Sequence, residues 1–364
     1  MSPRRKPLFT ALVASSTVPL VAALGVATAG AAQATASCTP DVGGTGLSAA
    51  VVASSHQVIA RRTVDATGCD IGIYIGAGVR HVAIRSVTVT GANFQGIFAE
   101  KTSWVRIVHS TVTNNAFGTI DPSAPPLPGS GVKSRVSQAF AISLFGVSHA
   151  IVRDNDVNNN GRGGIGVMDN GPNDPGALTQ DPSAPLVAST HDIVIGNRIS
   201  ANYNGCGVVA ATQNLNGHLG AIAIARNSIT GTGFGPNGPD VGGIVVAADL
   251  PGSSATNATV RGNTVRDSFE AGLIVNAEAP GSFTRHVRLF GNTVSGNNVG
   301  HLEAPNTAGV VTNAAPGAAN IGTSVYRNDI TDQFFGIWSQ GDFPPKTWRN
   351  HIEVTPGGVP IARG

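Results

Sequence analysis

The feature that most constrains this chain is a repeat. The segments VAIRSVTVTGANFQGIFAE, AIVRDNDVNNNGRGGIGVMD, IVIGNRISANYNGCGVVAAT and ATVRGNTVRDSFEAGLIVNAE share the pattern V-x-V-x-x-N-x-V-x-x-N-x-x-x-G-I-x-V. Each contains three short β-branched stretches separated by Asn or Gly turns. Self-similarity with a period of about 20 to 50 residues is the signature of a solenoid. One Asn register runs through Asn155, Asn197, Asn227, Asn263, Asn292 and Asn328, at intervals of 42, 30, 36, 29 and 36 residues. Ser86 and Ser110 are read at the same register earlier in the chain. A constant motif at variable spacing means a fixed coil with loops inserted at its turns. Asn suits such a place because it tolerates left-handed backbone, and its amide can bond to an Asn stacked one coil away.

On these repeats the chain resembles the right-handed parallel β-helix proteins of the pectin-lyase-like superfamily, over residues 58 to 343. The resemblance implies an all-β solenoid of about nine or ten coils, with N- and C-terminal caps. Composition agrees, since Lys, Glu and Leu are scarce while Gly, Asn, Thr, Val and Ala dominate, a mixture that disfavours helices. An open coil exposes unpaired backbone, so caps are expected at residues 35–57 and 344–364. Residues 46–55 read as a short amphipathic cap helix and the C-terminal segment as an irregular cover.

Residues 1–34 combine Arg4, Arg5 and Lys6 with an apolar run and Ala32-Gln33-Ala34, the layout of a secretory signal peptide. The chain has 23 basic and 21 acidic residues; without the leader the basic ones number 20 against the same 21. A near-neutral product has no general electrostatic claim on nucleic acid. No later apolar run approaches a membrane span. The reading is a secreted, extracellular protein without nucleic-acid or membrane partners. Cys38 and Cys69 flank the cap and are positioned to staple it in an oxidising compartment. Cys206 reads as a buried thiol.

Insertions gather on the working side of a solenoid. Here they flank the G-I-x-V strand on both sides: residues 117–138, 233–241 and 299–308 before it, and 169–190, 212–219, 249–256, 278–284 and 341–346 after it. A groove along the stacked strands is expected, where the resembled enzymes hold a polysaccharide. With Ile or Val inward, strand alternation turns Tyr74, Phe98, Ser143, Gly166, Val209, Val245, Ile274, Val311 and Trp338 outward. Asp169, Gln213, Asp249 and Glu278 fall at the wall edge, and Asn276 on the floor beside them. Asp169, Asp249 and Glu278 are the acid–base candidates, with Arg162 or His191 as charge stabilisers and Lys133 and His218 nearby in loops. Paired carboxylates about 5 to 10 Å apart are what glycoside hydrolysis needs. Tyr74, Phe98, Asn276, Trp338 and Gln213 are the substrate-binding candidates, although Tyr74, Phe98, Phe145 and Trp338 are equally placed to be covered by the long Pro-rich loops or by a neighbouring subunit. No cofactor is required, although a carboxylate row also suits calcium.

The N-T-D, D-D, G-H-G and R-I-K set of polygalacturonases is missing, and the floor carries no Arg or Lys. That counts against acidic pectin as substrate. The leading reading is a carbohydrate-active β-helix that binds, and cleaves or epimerises, a neutral or weakly charged extracellular polysaccharide. The alternative is a non-catalytic surface or matrix protein that uses the same apolar groove face for glycan binding or oligomerisation.

Overall fold

The computed structural model describes residues 37–118, 139–233, 242–299 and 308–364. Residues 1–34, read from the sequence as a leader, and most of the insertions at 117–138, 233–241 and 299–308 with Lys133, lie outside the described residues. The chain is a parallel β-helix: every pairing between its strands is parallel and joins one coil to the next. The coil around Asn155 shows the plan. Ile151–Arg153 lies on a first face, Asp156–Asn158 on a second and Gly163–Met168 on a third. The first face is a sheet of ten strands, so the expected nine or ten coils are present. The second and third faces form one 19-stranded sheet, because Asp329–Gln340 and His351–Arg363 each run through both. A short five-stranded sheet fills the corner between third and first faces.

Alternation places the core. On the third face Ile73, Ile97, Ile142, Ile165, Val208, Ile244, Leu273 and Val310 pair in register and point inward, each almost fully buried. Burying one such side chain stabilises by roughly 1.5–3 kcal/mol. The Gly before this strand has a steric cause. A Cβ on Gly164 would sit 2.5 Å from the Gly207 carbonyl oxygen, and one on Gly207 2.7 Å from that of Gly243. Only Gly lets successive coils approach so closely where the second face turns into the third.

The Asn register is a hydrogen-bonded ladder. Asn155 donates from Nδ2 to Asn197 Oδ1 (2.9 Å), and the same bond links Asn197 to Asn227, Asn227 to Asn263, Asn263 to Asn292 and Asn292 to Asn328. It continues to Asn350 (3.0 Å). Earlier, the Val87 N–H donates to Ser110 Oγ, so Val87 and not Ser86 holds the ladder position. Ser86 sits one residue before it, at a left-handed turn position shared with Arg61, His109 and Asp154. A second ladder joins Asn115, Asn160 and Asn202 at the next corner.

Both ends differ from expectation. The segment read as a cap helix contains the strand Ala49–Val52, which pairs with Ile71–Ile75 and closes the first coil. Its β-branched Val51 and Val52 suit a strand once a neighbouring edge is available. Among the described residues the one helical element is a 3-10 turn, Val42–Gly44, and no helix is long and apolar enough to cross a membrane. A disulfide joins Cys38 to Cys69 with Cα atoms 5.6 Å apart. At the other end Lys346–Trp348 and His351–Arg363 continue the coil by parallel pairing, with register shifts opposite Thr331–Phe335, instead of forming an irregular cover.

The outward positions of the first face carry Arg85, Arg106, Arg153, Arg261, Arg288 and Lys346 and no acidic residue. The turn that follows carries Arg61, Arg226, Arg327 and Arg349, with Asp154 as its one acid. The turn that precedes holds a column of stacked rings, His56, His81, Trp104, His149 and His191, with centroids 4.3–6.0 Å apart.

Candidate functional site

The outward columns of the third face are in the expected register. Tyr74 pairs with Phe98, Phe98 with Ser143, Ser143 with Gly166 and Gly166 with Val209. The column continues through Val245, Ile274, Val311 and Trp338. Two residues on, Glu100, Phe145, Met168, Ala211, Ala247, Asn276, Asn313 and Gln340 form a parallel column. What the sequence did not reveal is that these columns have two halves.

The first half is covered. After Met168 the chain leaves the coil and crosses back over the face as a strap. Leu178 and Thr179 donate backbone N–H groups to the Thr45 carbonyl of the N-terminal cap (2.8 and 3.0 Å), and Gln95 Nε2 donates to the Gly176 carbonyl (2.9 Å). Asn173 and Asn214 exchange amide bonds at the other side of the strap. Gly176 lies so close over Phe98 that a Cβ there would be 2.6 Å from the ring. Gly43 lies on Tyr74 in the same way. Tyr74, Phe98 and Phe145 are therefore buried, with ring centroids 5.8 and 5.5 Å apart. In this arrangement Tyr74 and Phe98 present no ring face to a sugar.

Under the strap lies an acid cluster. Glu100 accepts from the Tyr74 hydroxyl, and Asn170 Nδ2 reaches Glu100 Oε2 (3.4 Å) and Asp174 Oδ2 (3.1 Å). Lys101 Nζ is 3.7 Å from Glu100 Oε2. Burial, and then the neighbouring Asp174 charge, push the Glu100 carboxyl up to about 8. The Tyr74 phenol is pushed up by burial and by Glu100. The one sequence signal for this cluster is an acid, Glu100, at an outward position of an aromatic column.

The second half brings four of the candidates together. Extending the pairing of Thr212, Ala248 and Ala277 by one residue puts Gln213, Asp249 and Glu278 at one position in three consecutive coils. Gln213 Nε2 donates to Asp249 Oδ2 (2.9 Å), and Asn276 Nδ2 to Glu278 Oε1 (3.0 Å). Asp249 is half-buried and its Oδ1 has no protein partner. Burial, the Glu278 charge and the Asp169 charge hold its carboxyl well above the ordinary carboxylate range. Glu278 is exposed. Asp169 is buried and accepts the backbone N–H of Gln213. Burial raises it to about 7 against the bonds from Gln213 and Asn214 that favour its charged form.

Beside this row Asn276, Asn313 and Trp338 are half-buried and Gln340 is exposed. Trp338 packs on Phe335 at 4.9 Å and its Nε1 has no partner. Arg162 and His191 are not brought to the row. Arg162 is buried before Gly163–Met168, at the opposite end of that strand from Asp169, and bridges to Asn204. Desolvation lowers its guanidinium pKa. His191 follows Ser189–Thr190 in the turn leading to the first face, stacked on His149. Among the described residues no three His, Cys, Asp or Glu side chains converge on a point that would hold a metal ion. Cys206 is buried in the cluster around Phe140, outside the disulfide.

No family profile and no curated protein sequence matches the chain. Solved structures do. The A-module of mannuronan C-5 epimerase AlgE6 from Azotobacter vinelandii aligns at a TM-score of 0.51 and 17% identity, over 85% of this chain and 71% of that one. PfbA, a surface adhesin of Streptococcus pneumoniae, aligns at 0.50 and 11% identity, over 79% of this chain and 62% of that one. Likeness at this level identifies the fold, a parallel β-helix, and that alone.

Proposed function

We propose that the chain is a secreted carbohydrate-active β-helix protein that holds an extracellular polysaccharide over the second half of its third face. The observation that carries the reading is Asp249, half-buried, fixed by Gln213 and standing one coil from the exposed Glu278. Successive strands are about 4.8 Å apart, which suits the short separation of two-carboxylate glycoside chemistry. Burial, and then the neighbouring Glu278 and Asp169 charges, raise the Asp249 carboxyl well above the ordinary carboxylate range, which suits it to hold a proton as an acid. Asp249 would donate that proton to the glycosidic oxygen as its bond to the anomeric carbon breaks, while the Glu278 carboxylate would attack that carbon; water, deprotonated by Asp249, would then release the sugar from Glu278. Asn276, Asn313 and Gln340 supply amide donors and acceptors for sugar hydroxyls, and Trp338 a ring edge. The side chains around them, Ala211, Ala247, Ile274 and Val311, are apolar and buried and carry no fixed charge, which favours a neutral or weakly charged glycan. The structural neighbour named as an epimerase acts on a polysaccharide, which supports the substrate class.

The second reading is a non-catalytic glycan-binding surface protein, or a face for self-association. It is favoured by Asp169, which is buried and accepts the Gln213 N–H at the turn of the next coil through Oδ1, away from the exposed Glu278. The test is a panel of neutral and weakly charged polysaccharides with product analysis. Asp249→Asn should abolish turnover by about 100-fold or more and leave binding intact. Asp169→Asn should act through stability instead. Wild-type turnover should fall as alkaline pH removes the Asp249 proton. Binding without turnover in the wild type establishes the second reading; unchanged turnover in Asp249→Asn removes the acid assignment.

A further inference from the structure

The chain is near neutral overall, but its charges are segregated. The first face and its two bounding turns hold thirteen of the eighteen described Lys and Arg residues, twelve of them exposed. Two exposed acids lie there, Asp154, paired with Arg153 (3.2 Å), and Asp342 in the short turn before Lys346; Asp192 is buried and turned inward onto the Ala150 N–H (2.7 Å). The densest part spans the last five coils, where Arg226, Arg261, Arg288, Arg327, Lys346 and Arg349 occupy about 20 Å of the coil axis at the usual strand spacing. They surround a stack of three rings. Phe290, Tyr326 and Trp348 have centroids 4.9 and 4.3 Å apart and planes within 8° of parallel. Trp348, at the end of the stack, is 43% exposed. The nearest acids across the turn, Asp329 and Glu353, are both engaged by His351 (2.8 and 3.1 Å).

We infer that this basic face is a second binding surface, for a linear acidic polysaccharide lying along the coil axis. It is independent of the third-face reading, because it shares no residue with that site. The chemistry follows from spacing and geometry. Guanidinium groups repeat in steps of the coil along a flat face, and each can take a carboxylate or sulfate through two parallel N–H bonds. The exposed Trp348 ring offers the apolar stacking surface that sugar rings use. A nucleic acid fits less well. Single strands bind by stacking bases on open aromatic faces, and here the ring faces of Phe290 and Tyr326 are closed against each other and against Trp348. Low net charge also removes the long-range attraction a polynucleotide would exploit, leaving a local match of charge on one side only.

The experiment uses the full chain and polygalacturonate as the probe, with dextran as the neutral control and a thymidine oligonucleotide at equal charge concentration. Binding to polygalacturonate should weaken as salt rises, and dextran should not bind this face. Arg261→Gln with Arg288→Gln should weaken polygalacturonate binding roughly tenfold at low salt. Arg198→Gln with Arg266→Gln, an equal charge change on the second face, should leave it within about twofold. Trp348→Ala should reduce the binding that persists at high salt. Equal effects of the two Arg pairs would overturn the inference, as would oligonucleotide binding as tight as polygalacturonate. Salt-sensitive self-association of the protein, abolished by the same first-face pair and unaffected by polygalacturonate, would assign the face to a second copy of the chain and overturn it too. Because turnover at Asp249 is measured separately, failure of one reading leaves the other intact.

Discussion

The two halves of the third face are built from one register and end up with opposite characters. In the first half the outward column is aromatic, and the N-terminal cap and the strap after Met168 bury it. In the second half the column of Phe145 and Met168 goes on to Asn276, Asn313 and Gln340, and Asp249 and Glu278 stay within reach of solvent beside the buried Gln213. The difference teaches that outward on a coil does not mean exposed on the protein. A parallel β-helix has one apolar interior by construction, but an insertion can create a second core against any outer face. Here the outer core contains Tyr74, Phe98, Phe145 and Met168, separated from the inner core by the strand backbone.

If the first half is a core, Phe145→Ala should cost about 3–5 kcal/mol, measured by denaturant unfolding, since a fully buried ring leaves a cavity. A loss under 1 kcal/mol would mean that the strap is lifted in solution. Removing the staple, by Cys38→Ala with Cys69→Ala, should cost about 3–4 kcal/mol for a loop of 31 residues. Its effect should concentrate in the covered half, as hydrogen exchange at Ala49–Val52 and in the strap can report.

The acid cluster gives a smaller and pH-dependent effect. Glu100 and Asp169 have folded-state pKa values near 8 and 7, above their ordinary values of 4.5 and 3.8. The folded protein therefore binds more protons than the unfolded chain between those limits, and stability falls as pH rises. The contribution is complete below about pH 4 and lost by about pH 8. Thermal unfolding should show this decline, and Glu100→Gln should flatten its upper part. A slope unchanged by Glu100→Gln would remove Glu100 as its source. The smallest effect on stability is expected in the second half. Trp338→Ala, at a half-buried ring, should cost roughly 1 kcal/mol while weakening any polysaccharide bound there. A loss comparable to Phe145→Ala would erase the distinction between the halves.

The inner core and the register of the outer columns were legible because both follow from alternation and from a motif repeated many times. Each coil gives the same information again, so one ambiguous coil does not mislead. Ser86 shows the limit. Its coil has a Ser one residue before the ladder position, and by similarity alone it aligns with Asn, although Val87 fills the slot through its backbone N–H. The path of the strap and the acid cluster were not legible, because they depend on residues 169–190, which occur once and carry no period; that a Pro-rich loop covers Tyr74 and Phe98 was one of two readings the sequence left open. The row of Asp249, Glu278, Gln213 and Asn276 was found from strand register. Arg162 and His191 were grouped with it on sequence proximity to the coil, and a strand of six residues separates Arg162 from Asp169. Net charge concealed the basic face, since a sum cannot record which side of each coil a charge occupies.

The Asn ladder makes the number of coils a free variable. Every rung makes the same bond to the rung above, whatever lies in the loops between. Excising residues 263–291 would hand the amide of Asn227 to Asn292 and leave no rung unmatched. Tandem duplication of the same stretch would insert a rung with equal ease. Length in this protein can therefore change by whole periods through recombination, without a new core having to be invented each time.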